Sequence, residues 1–217
     1  MDEFAQQLGL SLGEAVFTQR AIRRFRPDPI PLDEVRLLLE AAVRAPNGAN
    51  RQTARFLVLA DREAIRDFGG IYRRSWWAKR EQDYGWRGPE DVPPDVTRYA
   101  SAMRLADEMA QAPCIVLALA TPPGLESDSE ANRALSTVPA VQNLLLAARA
   151  RGIGSVPTTL HPSAVGGVRE RFGIPEDVSI VFCVPLGYPR GSFGPTCRRP
   201  TAETCFLDRW EGPVPWA

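Results

Sequence analysis

The sequence predicts one domain in which strands and helices alternate along the chain, followed by a long tail with no core of its own. Three observations carry this. Leu32, Val35, Leu38, Leu39, Ala42 and Val43 recur at helical spacing and form one apolar stripe. Three short apolar runs, Arg55 to Ala60, Cys114 to Thr121 and Val178 to Leu186, have the length of buried strands. From Gly187 to Ala217 the chain is rich in proline and arginine, yet it carries Phe206, Trp210 and Trp216, which need burial. At 217 residues and 44% hydrophobic, the chain can fill one real core.

Taken in order, residues 9–18 read as a short helix with Leu10, Leu12, Ala15 and Val16 on one face. Arg20 to Arg26 lead into Pro27-Asp28-Pro29-Ile30-Pro31, which must be extended because proline fixes φ and restrains its predecessor. The striped helix follows and stops before the turn-rich loop Pro46-Asn47-Gly48-Ala49-Asn50. After the strand at 55–60, a short helix is expected over 62–69. Residues 69–99 then leave the pattern: Gly69-Gly70 opens the stretch, Tyr72, Trp76, Trp77, Tyr84, Trp86 and Tyr99 crowd it, and Pro89, Pro93 and Pro94 break it. It reads as a partly helical cap on the core. Beyond it come helices at 101–111, 130–151 and 162–172, with strands at 114–121, 152–158 and 178–186. No repeat or interdomain linker interrupts residues 1–217.

Composition narrows the chemistry. Twenty-six basic and 26 acidic residues cancel, which argues against a general nucleic-acid binder. Met1-Asp2-Glu3-Phe4 has none of the marks of a secretory leader, and the longest apolar run is too short for a bilayer, so a cytoplasmic protein with no membrane partner is expected. Cys114 and Cys183 lie in apolar runs and read as buried thiols. The single histidine, His161, comes with neither zinc-ligand spacing nor a G-x-S-x-G elbow, and no P-loop or G-x-G-x-x-G is present. No metal is expected, and chemistry must come from a cofactor held by scattered contacts.

Four patterns are candidates for those contacts. Arg20 and Arg23 would share a face in helical geometry, and paired guanidinium groups suit a phosphate, although on spacing alone a solvated basic face is the stronger reading. Asn47, Asn50 and Gln52 place three carboxamides in one loop, each both donor and acceptor, with Gly48 permitting close approach. Gly152-Ile153-Gly154-Ser155-Val156-Pro157-Thr158-Thr159-Leu160 leaves room beside a strand. Arg198-Arg199 is a second arginine pair late in the chain.

Their order carries more than any one of them. Arg20-Ala21-Ile22-Arg23-Arg24-Phe25, Ala45-Pro46-Asn47 with Asn50-Arg51-Gln52, Gly152-Ile153-Gly154-Ser155, Phe172-Gly173-Ile174-Pro175, Leu186-Gly187-Tyr188-Pro189 and Arg198-Arg199-Pro200 succeed one another over nearly the whole chain. This ordered set resembles the nitroreductase-like FMN flavoproteins. The resemblance implies an α+β fold, a mixed β-sheet surrounded by helices, in an intertwined homodimer whose C-terminal tail, about residues 190–217, packs on the partner. It implies that Arg20, Ala21, Arg23 and Arg198 hold the FMN phosphate. Pro46, Asn47 and Gly48 would approach the flavin from the other subunit, with Asn50 and Gln52 shaping that loop or meeting the ring edge. Val156, Pro157, Thr158, Thr159 and Leu160 would line the ring. Three departures from the family's pattern stand out: Ala21 and Asn47 each stand where serine is usual, and Thr53-Ala54 replaces Pro-Trp.

The function so implied is an FMN-dependent oxidoreductase that takes hydride from NAD(P)H and reduces a nitroaromatic, quinone or similar conjugated small molecule in ping-pong fashion. Tyr72, Trp76, Trp77 and Tyr84 of the aromatic stretch would contact that substrate. A pathway-specific flavin dehydrogenase or reductive dehalogenase on the same fold, and a flavin-binding protein without turnover, are the alternatives. The hydride chemistry belongs to the flavin, so no side chain is expected to act as a catalytic acid, base or nucleophile.

Overall fold

A computed structural model describes residues 3–122, 124 and 129–216; Met1, Asp2 and Ala217, which the sequence reading includes, lie outside them. The strands are β1 (Ala54–Leu59), β2 (Cys114–Ala120), β3 (Gly154–Ser155) and β4 (Ser179–Gly187), in one sheet of order β1-β2-β4-β3. All three pairings are antiparallel. The parallel component of the sheet is the isolated bridge between Ala21 and Ser155.

β2 is the centre of the fold. All seven of its residues are buried. Side chains alternate across a strand, so Cys114, Val116 and Ala118 enter one core while Ile115, Leu117 and Leu119 enter another. The first core is closed by α3 (Leu32–Ala42) and α6 (Glu130–Ala150), through Val35, Leu38, Val141 and Leu144. The second is closed by α4 (Arg62–Tyr84), α5 (Ala100–Glu108) and α7 (Pro162–Phe172), through Ile65, Phe68, Leu105 and Val168. Two short helices, α1 (Glu3–Gln7) and α2 (Leu12–Thr18), precede the striped helix.

Several boundaries follow from local chemistry. His161 caps α7 at its start, Pro162 occupies the first turn where its missing N–H costs nothing, and Gly173 ends it at φ 64°. Asp61 caps α4, its Oδ1 accepting from the amides of Glu63 and Ala64 at 2.9 and 3.0 Å. Those bonds hold its carboxyl below the usual range.

Three expectations are corrected. The helix after β1 does not stop near residue 69 but runs unbroken to Tyr84, where Gly85 at φ 78° ends it. Gly69 serves packing instead of a turn: a Cβ there would lie 2.4 Å from the Ala110 amide nitrogen, so only glycine lets α4 approach that segment. The strand at 152–158 shrinks to Gly154–Ser155, because Gly152 takes φ 68° and pairing with β4 resumes only at Thr158, opposite Cys183. Arg20 and Arg23 do not lie on a helix. The Ile22 amide donates to the Ser155 carbonyl at 3.0 Å and the Arg26 amide to the Tyr188 carbonyl at 2.8 Å, so the sheet edge holds this segment extended.

Among the described residues beyond Pro189 there is no helix longer than the 3-10 turn Thr201–Glu203. Trp210 is 79% exposed, and Phe206 and Trp216 are also exposed. Leu12, Phe17 and Leu135 present further large apolar side chains to solvent.

Candidate active site

The sheet edge, α4 and the start of α7 enclose a cavity of about 410 Å³. Val156, Pro157, Thr158, Thr159 and Leu160 form one wall, continued by His161 and Pro162. Tyr72, Ser75, Trp76, Lys79 and Arg80 of α4 form the opposite wall, with Ala102 and Leu105 of α5. Arg23 enters from the extended N-terminal segment, its Nη1 donating to Ser101 Oγ at 3.3 Å.

The segment 156–160 is held from both sides. The Thr158 amide donates to the Cys183 carbonyl at 2.9 Å, and the Cys183 amide returns a bond to the Thr158 carbonyl at 2.8 Å. Thr158 Oγ1 and Tyr72 OH share a hydrogen bond of 2.8 Å across the cavity floor. Burial pushes the Tyr72 phenol up to about 12, so it stays neutral and keeps its proton. Burial likewise raises the Cys183 thiol, which fits a packing role. Val156 and Leu105 keep part of the wall apolar and buried.

The aromatic residues of α4 divide. Tyr72 and Trp76 line the cavity. Trp77 does not: it is 5% exposed and its Nε1 donates to Asp107 Oδ1 at 2.9 Å, anchoring α4 to α5. Nor does Tyr84, whose ring stacks on Trp86 at 4.6 Å and whose hydroxyl meets that of Tyr99 at 2.9 Å. Sequence reading missed Ser75, Lys79, Arg80, Ala102 and Leu105. The signal for the first three was available: they follow Tyr72 at helical spacings of three, seven and eight. It was lost once the helix was ended at residue 69.

The remaining candidates lie elsewhere on the protomer. Arg20 is exposed, with Nη1 near Gly194 of the tail, and Ala21 pairs with Ser155. Arg198 is exposed and its Nη1 donates to the Cys197 carbonyl at 2.8 Å. Pro46 to Gln52 form a loop on the α3 and α6 side. Asn47 and Gln52 line a separate hollow of about 290 Å³ that shares no residue with the first cavity. Ala49, Asn50 and Gln52 take φ of 50°, 52° and 51°, a region side-chain-bearing residues rarely adopt. Asn47 Oδ1 accepts from the Gln52 amide at 2.8 Å and holds this shape. Such strain collects at ligand-binding loops.

The Nitroreductase family model matches residues 16–188, a span that includes the cavity wall, the strained loop and all four strands. The chain belongs to the nitroreductase family. An NADH dehydrogenase of Thermus thermophilus is 31% identical over 204 residues, covering 86% of this chain and 90% of that one. Among solved structures, oxidised iodotyrosine deiodinase bound to FMN and 3-iodo-L-tyrosine has the same fold at a TM-score of 0.67, with 23% identity over 95% of this chain and 99% of the other. The NADPH:FMN oxidoreductase of Vibrio harveyi, complexed with NAD+, matches at a TM-score of 0.67 and 18% identity, covering 91% and 77%. Among the described residues, no helix of this nitroreductase-family chain is long and apolar enough to cross a membrane.

Proposed function

We propose that this chain is an FMN-dependent NAD(P)H oxidoreductase that reduces a conjugated small molecule and works as a homodimer. The observation that carries the reading is the 410 Å³ cavity in which Val156–Leu160 face Tyr72 and Trp76, with Arg23 at one side, in a nitroreductase-family chain. Its size is that of a small-molecule site. The residues present fit the cofactor: the partly apolar segment Val156–Leu160 suits the side of a ring, and a guanidinium suits its phosphate.

When bound, FMN would supply reversible hydride transfer between a nicotinamide and an acceptor. The chain's residues position and shield that chemistry. Arg23, with Arg20, Ala21 and Arg198 at the sheet edge and tail, neutralises the phosphate. Val156 to Leu160, fixed by the Cys183 and Tyr72 bonds, would line the ring, with buried Val156 and, on the opposite wall, Leu105 keeping part of the site apolar. Pro46, Asn47, Gly48, Asn50 and Gln52 complete the site from the partner. Their position on the α3 and α6 side supports this, since a loop away from its own cavity is free to serve another. The protein works in the cytoplasm, where its four free cysteines stay reduced.

Purified protein should be yellow, release FMN and not FAD on denaturation, and bleach anaerobically with NADH or NADPH. Reoxidation by a quinone or nitroaromatic should restore the colour. Protein that stays colourless after incubation with FMN would sink the reading.

A further inference from the structure

We propose that Lys79 and Arg80 form an anion anchor on the α4 wall of the cavity, selecting a flat aromatic acceptor that carries a carboxylate. The proposal rests on the flavin reading above, which assigns Arg23 to the cofactor phosphate.

The cavity wall holds three cations, Arg23, Lys79 and Arg80, and no Asp or Glu among its lining residues. The carboxylate nearest the pair, Asp83, lies one turn further along α4 and is shared. Lys79 Nζ approaches it at 3.0 Å and Arg80 Nη1 at 3.4 Å. One carboxylate against two cations leaves positive charge facing the cavity.

Arg80 is set for recognition. Its guanidinium lies over the Trp76 ring at 4.6 Å and over the Tyr99 ring at 4.9 Å. Contacts to the face of a guanidinium leave its edge for hydrogen bonds, and Nη1 leans on Asp83 only at 3.4 Å, a length that a ligand carboxylate can better. Its Nε is buried and has no hydrogen-bond partner among the described residues. A buried donor without an acceptor is unfavourable, so a small shift of Arg80 that brings this N–H to a ligand oxygen is favoured. Trp76 lines the same cavity, giving an aromatic ring a surface beside the anchor. Charge and flat surface together specify an aromatic carboxylate over a neutral ring.

The test is calorimetric titration of the purified protein with 4-nitrobenzoate and with the neutral 4-nitrobenzyl alcohol at low salt. Wild type should bind the carboxylate at least about tenfold more tightly. The double variant K79Q/R80Q should narrow the ratio to about twofold while retaining flavin, and K79R, which keeps the charge beside an unchanged Arg80, should keep it. A wild type without preference, a double variant that keeps the preference, or one that loses its flavin would overturn the proposal. So would a change confined to the NADPH-to-NADH affinity ratio, which would assign the pair to the donor's phosphate. Should the double variant fail to fold, K79Q alone at its half-exposed position reads the same ratio. A loss of about threefold is expected there, and an unchanged ratio refutes the anchor. Heat of binding reports with or without flavin, so a colourless protein refutes the flavin reading while the preference still judges the anchor.

Discussion

Arg23 and Arg20 sit three positions apart on an extended segment, and only Arg23 lines the cavity. Arg20 lies instead beside Gly194, four residues before Arg198. The phosphate reading therefore needs the tail in place. Changing Arg20 and Arg23 to alanine should weaken FMN about a hundredfold, taking each charge-assisted contact at the lower end of its usual worth. Equilibrium dialysis of flavin measures this, and unchanged affinity would remove both residues from the site.

A second residue-scale effect lies outside the cavity. Arg151, at the end of α6, donates to Glu34 of α3 through Nη2 at 2.6 Å and Nε at 2.8 Å, and its Nη1 reaches the Gln7 carbonyl at 3.0 Å. The guanidinium holds the Glu34 carboxyl below its ordinary value of 4.5. A depressed carboxylate contributes stability that is complete above the unfolded value and disappears as pH falls through the folded one. Glu34→Gln should therefore lower stability by about 1 kcal/mol at neutral pH. The deficit should shrink as the pH falls below the ordinary carboxylate range. Urea melts at neutral and at acid pH check it, and a deficit that persists in acid would exclude the ion pair as its source.

At the scale of elements, α4 decides what the aromatic stretch is. It is one helix of 23 residues, so the rows i, i+4 and i+8 from Tyr72 through Trp76 to Arg80 share the cavity face, while Trp77 turns to α5. This separates two roles that sequence reading had joined. Trp77→Ala should cost about 3–5 kcal/mol by removing a buried ring and leaving Asp107 short of a donor. Trp76→Ala should keep flavin and fold but reorder the rates at which acceptors reoxidise the reduced protein. Thermal melts and stopped-flow traces distinguish the two. A Trp77 variant of wild-type stability, or a Trp76 variant with unaltered acceptor ranking, would contradict the assignment.

For the whole molecule, the feature to explain is apolar surface without a cover. Trp210, Phe17, Leu12 and Leu135 are all more than two-thirds exposed in the single chain. Monomeric proteins rarely tolerate many such side chains together. The homodimer of the proposed function would cover them and bring the partner's Pro46–Gln52 loop to the flavin. Truncation after Pro189 should then give protein that aggregates or lacks flavin, as seen by size-exclusion chromatography with detection at visible wavelengths. A soluble monomer with full flavin content would contradict both the dimer and the shared site.

What the sequence determined by itself is whatever depends on neighbours along the chain. The stripe from Leu32 to Val43, the run from Cys114 to Ala120 and the proline and glycine that bracket 162–172 are local signals, and each element stands where they place it. Ordered motifs from Arg20 to Arg198 likewise pointed to the family before any geometry was known. Other features depend on contacts distant in sequence. Gly69 looks like a turn until Ala110, 41 positions away, is seen against it. Arg20 and Arg23 could share a helical face until Ser155 and Tyr188 offer their segment backbone partners. Lys79 and Arg80 look like a solvated charge pair until Val156–Leu160 close the other side of a cavity. Periodicity records which face of an element is buried but not what it is buried against, and a site is made by what lies opposite. That is why the fold and the family could be read from the chain, while the membership of the cavity was decided only by tertiary structure.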